Sequence, residues 1–200
     1  MFKQLMTLIT LTLLSASALA AEIGQAAPPF SVIDSHGVRH SLSDFAGKTV
    51  ILEWTNHDCP FVKKHYETDN MQSLQREMTA QGAVWLSVIS SAPGTQGFVS
   101  PAQANQLSAD RNAAATAVLL DSSGVMGRAY QARVTPHMYV IDSTGILRYA
   151  GGIDSIATAN KTDVAKADPY FATAARAVLA GEPVERSVSR PYGCTVKYVD

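Results

Sequence analysis

The residues of this 200-residue chain best suited to bond-making chemistry are Cys59, Cys194 and five histidines. Cys59 stands in Trp54-Thr55-Asn56-His57-Asp58-Cys59-Pro60-Phe61-Val62, between a dense apolar run and a stretch of helical spacing. Pro60 suits the first position of a helix, where its missing N–H costs nothing. That puts the Cys59 sulfur at or beside a helix N-cap. There the helix dipole and free backbone N–H groups favour the thiolate, the form that attacks disulfides and peroxides. A protonated His57 would add to this effect, and Asp58 would oppose it. Cys194 is the one other cysteine, so a single intramolecular bridge is possible. A bridge serving purely as a staple would stabilise by about 4 kcal/mol in the chain-entropy model. Cys59 is therefore either a nucleophile or half of a staple. Glu53 also stands out, because an unpaired carboxylate inside an apolar strand is costly; a rim position beside Lys48 is the alternative.

These residues must be positioned by alternating strands and helices. Phe30–Asp34 and Val38–Leu42 flank Ser35-His36-Gly37 as a hairpin, with a short helical turn or loop at 43–48. Thr49–Trp54 and Val84–Ile89 read as strands buried on both faces. Between them Val62, Tyr66, Leu74 and Met78 predict a helix that ends near Gly82. A polar loop, 90–100, precedes a helix opening at Pro101 and running to about Arg111. A short strand is expected at Val118–Leu120 and a short helix at Gly124–Ala132. Met138–Asp142 and Ile146–Ala150 form a second hairpin around Ser143-Thr144-Gly145. The last helix has Asp168 as N-cap, Pro169 in its first turn, and Gly181 and Pro183 as stops. Residues 184–200 read as an irregular tail carrying Cys194. The order of elements predicts an α/β sandwich with a mixed sheet.

Composition narrows the function classes. The chain is 46% hydrophobic and 16% charged, with 16 basic against 17 acidic side chains and a net charge of −1. No basic excess is available to neutralise phosphates, so nucleic-acid binding is not expected. Charge blocks, low-complexity tracts and internal repeats are absent. Residues 1–20, MFKQLMTLITLTLLSASALA, read as an export signal: Lys3, an apolar core, and Ala18-Leu19-Ala20 as the cleavage rule, with cleavage after Ala20. A membrane anchor is the rival, but the uncharged run is barely long enough and has no basic flank. The expected chain is periplasmic or secreted, with no membrane contact after cleavage, where a thiol pair can persist as a disulfide.

The strand, the Cys-Pro helix start and a distant Thr135-Pro136 before a strand resemble the thioredoxin superfamily. The chain is most similar to its peroxiredoxin-like AhpC/TSA-type redoxin group. It shares Asn56-His57-Asp58-Cys59-Pro60, Thr135-Pro136-His137 and the ending Gly193-Cys194-Thr195-Val196-Lys197-Tyr198 over residues 24–198. The resemblance implies a thioredoxin-like fold over 21–183, with an N-terminal hairpin extension and a tail over 184–200. It further implies a cis Pro136 facing the nucleophile, with Thr135, His57 and His137 near Cys59. Glu53 would be the buried carboxylate that assists proton transfer. Val62 stands where thioredoxins carry their second thiol, and Leu52 and Asn56 replace the proline and threonine of peroxiredoxins.

The expected function is thiol–disulfide exchange, with Cys59 as nucleophile and Cys194 as resolving cysteine. The partners would be a disulfide-containing protein substrate or a peroxide, and an external thiol reductant. No cofactor is expected. A thiol peroxidase is one alternative; a non-enzymatic domain with a structural Cys59–Cys194 bridge is another. A third is a copper or zinc site built from Cys59, His57, His137 and Cys194. His57 or His137 could otherwise tune the thiolate. His36 and His40 are expected in solvent on the hairpin, and His65 on the helix surface.

Overall fold

The computed structural model describes residues 20–199. The expected export signal, apart from Ala20, lies outside the described residues. In chain order the elements are β1 (Ser31–Ile33), β2 (Arg39–Ser41), β3 (Val50–Trp54), α1 (Pro60–Tyr66), α2 (Asn70–Ala80) and β4 (Val84–Ile89). There follow α3 (Pro101–Asp110), β5 (Ala117–Leu120), α4 (Val125–Ala129), β6 (Val134–Thr135), β7 (His137–Ile141), β8 (Leu147–Gly151), α5 (Tyr170–Ala180) and β9 (Cys194–Thr195). Short 3-10 turns occupy Leu42–Phe45 and Lys161–Lys166.

The central sheet has five strands in the order β5-β4-β3-β7-β8. β3, β4 and β5 run parallel, whereas β7 is antiparallel to both β3 and β8. This is the expected mixed sheet. Alternation along β3 sorts the core into two layers. Leu52 and Trp54 face one layer with Phe30, Tyr130, Tyr139 and Leu147. Ile51 faces the other with Val62, Met71, Met78, Trp85 and Phe171, supplied largely by α1, α2 and α5, and Cys59 belongs to this second layer.

Three details depart from expectation. The single helix predicted through Val62–Met78 is two helices, broken at Asp69 with φ +57°. The Thr68 hydroxyl takes the Lys64 carbonyl at 2.8 Å and Gln72 Nε2 takes that of Tyr66 at 2.9 Å. Side chains thus satisfy the carbonyls that a continuing helix would use. The N-cap of α5 is Pro169, not Asp168. The backbone of Asp168 is held outside the helix by Ser155, whose N–H donates to its carbonyl and whose hydroxyl accepts from its N–H. Finally, the irregular tail contains β9, which pairs antiparallel with β6 and sets Cys194 opposite Thr135.

Candidate thiol site

The turn before α1 is built by side chains. Asn56 Oδ1 accepts the Asp58 N–H at 2.9 Å, and the Asn56 carbonyl accepts the Cys59 N–H at 3.1 Å. Gly97 lies against this Asn56, where a Cβ would come within 2.5 Å of Asn56 Cγ. The 91–97 loop, for which the sequence suggested no role, therefore clamps the turn. It also reaches the tail, through Ala92 N–H to the Lys197 carbonyl at 2.7 Å. Cys59 becomes the N-cap of α1 with Pro60 following it, as the spacing predicted.

Cys59 is fully buried, and its Sγ donates to the Thr135 carbonyl at 3.2 Å. The Thr135–Pro136 bond is cis. Both cysteines are free thiols, and Cys194 is the more exposed of the two. Burial first, then the neighbouring Cys59 side chain, pushes the Cys194 thiol up to about 12, with Lys197 opposing. Cys194 packs against the same apolar layer that holds Cys59. With the tail seated, no part of Cys59 reaches solvent.

Glu53 is on the thiol face of β3 and completely buried, not on the rim. Its carboxylate accepts from Tyr66 OH at 2.9 Å, Trp85 Nε1 at 2.9 Å, Ser87 Oγ at 3.0 Å and Gln75 Nε2 at 3.2 Å. All four donors are neutral, so desolvation outweighs them and raises its pKa above the usual range.

Apart from His36, which is exposed as expected, the histidines are arranged differently from expectation. His57 Nε2 lies 3.4 Å from Asp58, and its Nδ1 is buried without a partner. Burial, helped by Arg111 and Lys63 and opposed by Asp58, lowers its pKa and so disfavours the cation that would support a thiolate. With Thr55, Tyr66, Ser87 and Arg111 among others, His57 lines a cavity of about 40 Å³. His137 pairs in register with Trp54 and shares its face of the sheet, opposite the thiols. There its Nδ1 lies 3.0 Å from Tyr139 OH, and burial holds its pKa down to about 3. His40 is half-buried against Asp34 at 2.9 Å. His65, expected on the surface, is fully buried. Among the described residues no three His, Cys, Asp or Glu side chains are grouped to hold a metal ion, so the proposed Cys59, His57, His137 and Cys194 set does not assemble.

A cluster that the sequence did not suggest lies along α1, the helix that Cys59 caps. Lys64 and His65 of α1, Asp154 after β8 and Tyr192 of the tail share hydrogen bonds in the interior.

The model of the AhpC/TSA family matches residues 23–150. No curated protein matches the chain. Among solved structures it resembles a hypothetical protein from Sinorhizobium meliloti 1021, with TM-score 0.74 and 20% identity over 90% of this chain and 96% of that one. An uncharacterized conserved protein from Geobacillus kaustophilus aligns with TM-score 0.72 and 22% identity, over 89% and 93% of the two chains. The thioredoxin domain of a thiol-disulfide oxidoreductase from Bacteroides vulgatus gives 0.52 and 19%, over 74% and 98%. These likenesses establish a thioredoxin-like fold.

Proposed function

Because the chain belongs to the AhpC/TSA family, we propose that it is an exported thiol–disulfide oxidoreductase with Cys59 as nucleophile and Cys194 as resolving cysteine. A redox function is supported by the family and the fold together. The observation that carries the finer assignment is that both cysteines are seated on Thr135. Pairing of β9 with β6 sets Cys194 opposite Thr135, the same residue whose carbonyl holds Cys59 Sγ.

The cycle balances as two exchanges. The Cys59 thiolate attacks one sulfur of a substrate disulfide, forming a mixed disulfide and releasing the other sulfur as a thiolate. Cys194 then loses its proton and attacks Cys59, releasing the second substrate thiol and leaving a Cys59–Cys194 disulfide. An external dithiol reduces that bond and is itself oxidised. Cys194 stays protonated before the exchange, its pKa raised by burial first and by the neighbouring Cys59 next. Thr135 and Pro136 shape the surface over Cys59. Glu53, whose pKa is raised and which lies on the thiol face of β3, is the proposed proton acceptor. His137 faces away and has no part in the cycle. Residues 1–20 would deliver the chain to an oxidising compartment, where such a couple can cycle.

The test is a pair of variants assayed with a disulfide-bonded protein substrate and, in parallel, an alkyl hydroperoxide. Cys59→Ser is expected to abolish turnover. Cys194→Ser is expected to accumulate a mixed disulfide visible on non-reducing gels. Full turnover by Cys194→Ser would remove the resolving role. Turnover of the peroxide alone would establish the peroxidase alternative instead. If Cys59→Ser lowered stability and neither substrate turned over in the wild type, the bridge would be a staple.

A further inference from the structure

Tyr192, two residues before Cys194, enters a buried ionic cluster on the helix that Cys59 caps. Lys64, side chain wholly buried, has three N–H donors, and each has an acceptor: Asp154 Oδ2 at 3.3 Å, the Ile156 carbonyl at 3.0 Å and Tyr192 OH at 3.3 Å. Asn70 Nδ2 donates to His65 Nδ1 at 2.9 Å, which leaves His65 Nε2–H to donate to Tyr192 OH at 3.3 Å. The Tyr192 hydroxyl donates its own proton to Asp154 Oδ1, which also takes the Ile156 N–H at 3.0 Å. One hydroxyl from the tail thus accepts twice and donates once. The Tyr192 ring completes the fit, edge-on to Phe61 with centroids 5.8 Å apart and with Lys64 Nζ 5.4 Å from its centroid.

The cluster is satisfied only with the tail in place. Withdrawing Tyr192 leaves one Lys64 N–H without an acceptor, leaves the His65 Nε2–H facing only Asp154 Oδ2 at 3.7 Å, and strips a donor from Asp154. Buried polar groups left unpaired are costly, and more so when charged. An ion pair of this kind adds little stability against an apolar replacement, so its effect here lies in specifying where the tail docks. Lys64 and His65 follow Cys59 on the same rigid helix, and Gly193 alone separates Tyr192 from Cys194. We infer that Tyr192, gripped by the Lys64–Asp154–His65 cluster, is a positioning residue that holds Cys194 over Cys59 and sets its effective concentration. This rests on the assignment of Cys194 as the resolving cysteine.

Two measurements on the purified protein test it. The first is the rate at which iodoacetamide alkylates Cys59 in a Cys194→Ser background, which reports how often the tail lifts from the buried thiol. The second is the oxidised fraction of the Cys59–Cys194 pair across glutathione redox ratios, which yields the effective concentration. Tyr192→Phe keeps the ring and removes only the hydroxyl; it is expected to speed alkylation about tenfold or more and to lower the effective concentration. Asp154→Asn should act in the same direction. Tyr198→Phe, which loses the hydroxyl bond from the tail's other tyrosine to the Ala132 carbonyl at 2.6 Å, is expected to change both by less. Alkylation no faster in Tyr192→Phe than in the parent overturns the inference and leaves the resolving assignment intact. So does equal acceleration by Tyr198→Phe, since anchoring would then belong to the tail as a whole. A wild-type protein that forms no bridge in oxidising glutathione overturns the resolving assignment, and the positioning role with it.

Discussion

Gly193 holds a backbone conformation at φ +137° that L side chains rarely adopt, and a Cβ there would collide with the Thr135 carbonyl. That carbonyl is also the acceptor for Cys59 Sγ. Gly193→Ala is therefore expected to cost about 1–3 kcal/mol locally and to lift the tail from the thiol. Alkylation of Cys59 should become faster, while the denaturation midpoint of the rest of the fold moves little. Glu53 yields a second test at the same scale. Its folded pKa is raised above the ordinary 4.5, so the native state binds more protons than the unfolded chain between those two values. Stability from this group is complete below pH 4.5, falls as pH rises to the folded pKa, and then stays low. Glu53→Gln should lose that decline, which denaturant unfolding at pH 5 and pH 8 would reveal. The same variant should slow disulfide exchange by about tenfold or more if the carboxyl accepts the proton.

At the scale of elements, the tail is held as a strap by side-chain pegs and by two-residue pairing of β6 with β9. Downstream of Cys194, Tyr198 fits a slot floored by glycines, with Arg128 stacked 4.7 Å from its ring centroid. A Cβ at Gly127, in α4, would approach Tyr198 OH to 2.5 Å and Ser90 Oγ to 2.9 Å. Gly127→Ala is thus expected to free the tail beyond Thr195, seen as faster limited proteolysis there with unchanged far-UV circular dichroism. The first hairpin, the central strands and most helix limits were legible from local spacing because each depends on neighbours in sequence. The break at Asp69 was not, since it depends on which carbonyls the Thr68 and Gln72 side chains capture.

For the whole molecule, the central sheet separates two packed layers, and each buries a neutral histidine. Burial holds His65 down to about 4 and His137 to about 3, below the ordinary 6.5. The unfolded chain binds more protons than the native state across that interval, so stability present above pH 6.5 is lost as pH falls toward those values. Glu53 contributes with the opposite slope. His137→Asn, which retains a donor for Tyr139 OH, is expected to reduce the loss between pH 6.5 and 4.5 by about 1–2 kcal/mol, as judged from urea midpoints. A parallel titration of His65 variants would separate the two histidines.

The sequence alone determined the mixed α/β order, the buried central strands and Cys59 as the cap of a helix. Those features follow from periodicity, from Pro60 at the first helical position, and from hydrogen bonding within a few residues. Only the tertiary structure decided which groups share a volume. It turned His137 to the far side of the sheet by strand parity, and it enclosed Glu53 with neutral donors from α1, α2 and β4. It also joined Lys64 to Asp154 across 90 residues and to Tyr192 across 128. Nothing in local spacing encodes such meetings, because they arise when the chain closes over itself and buried polar groups must find partners.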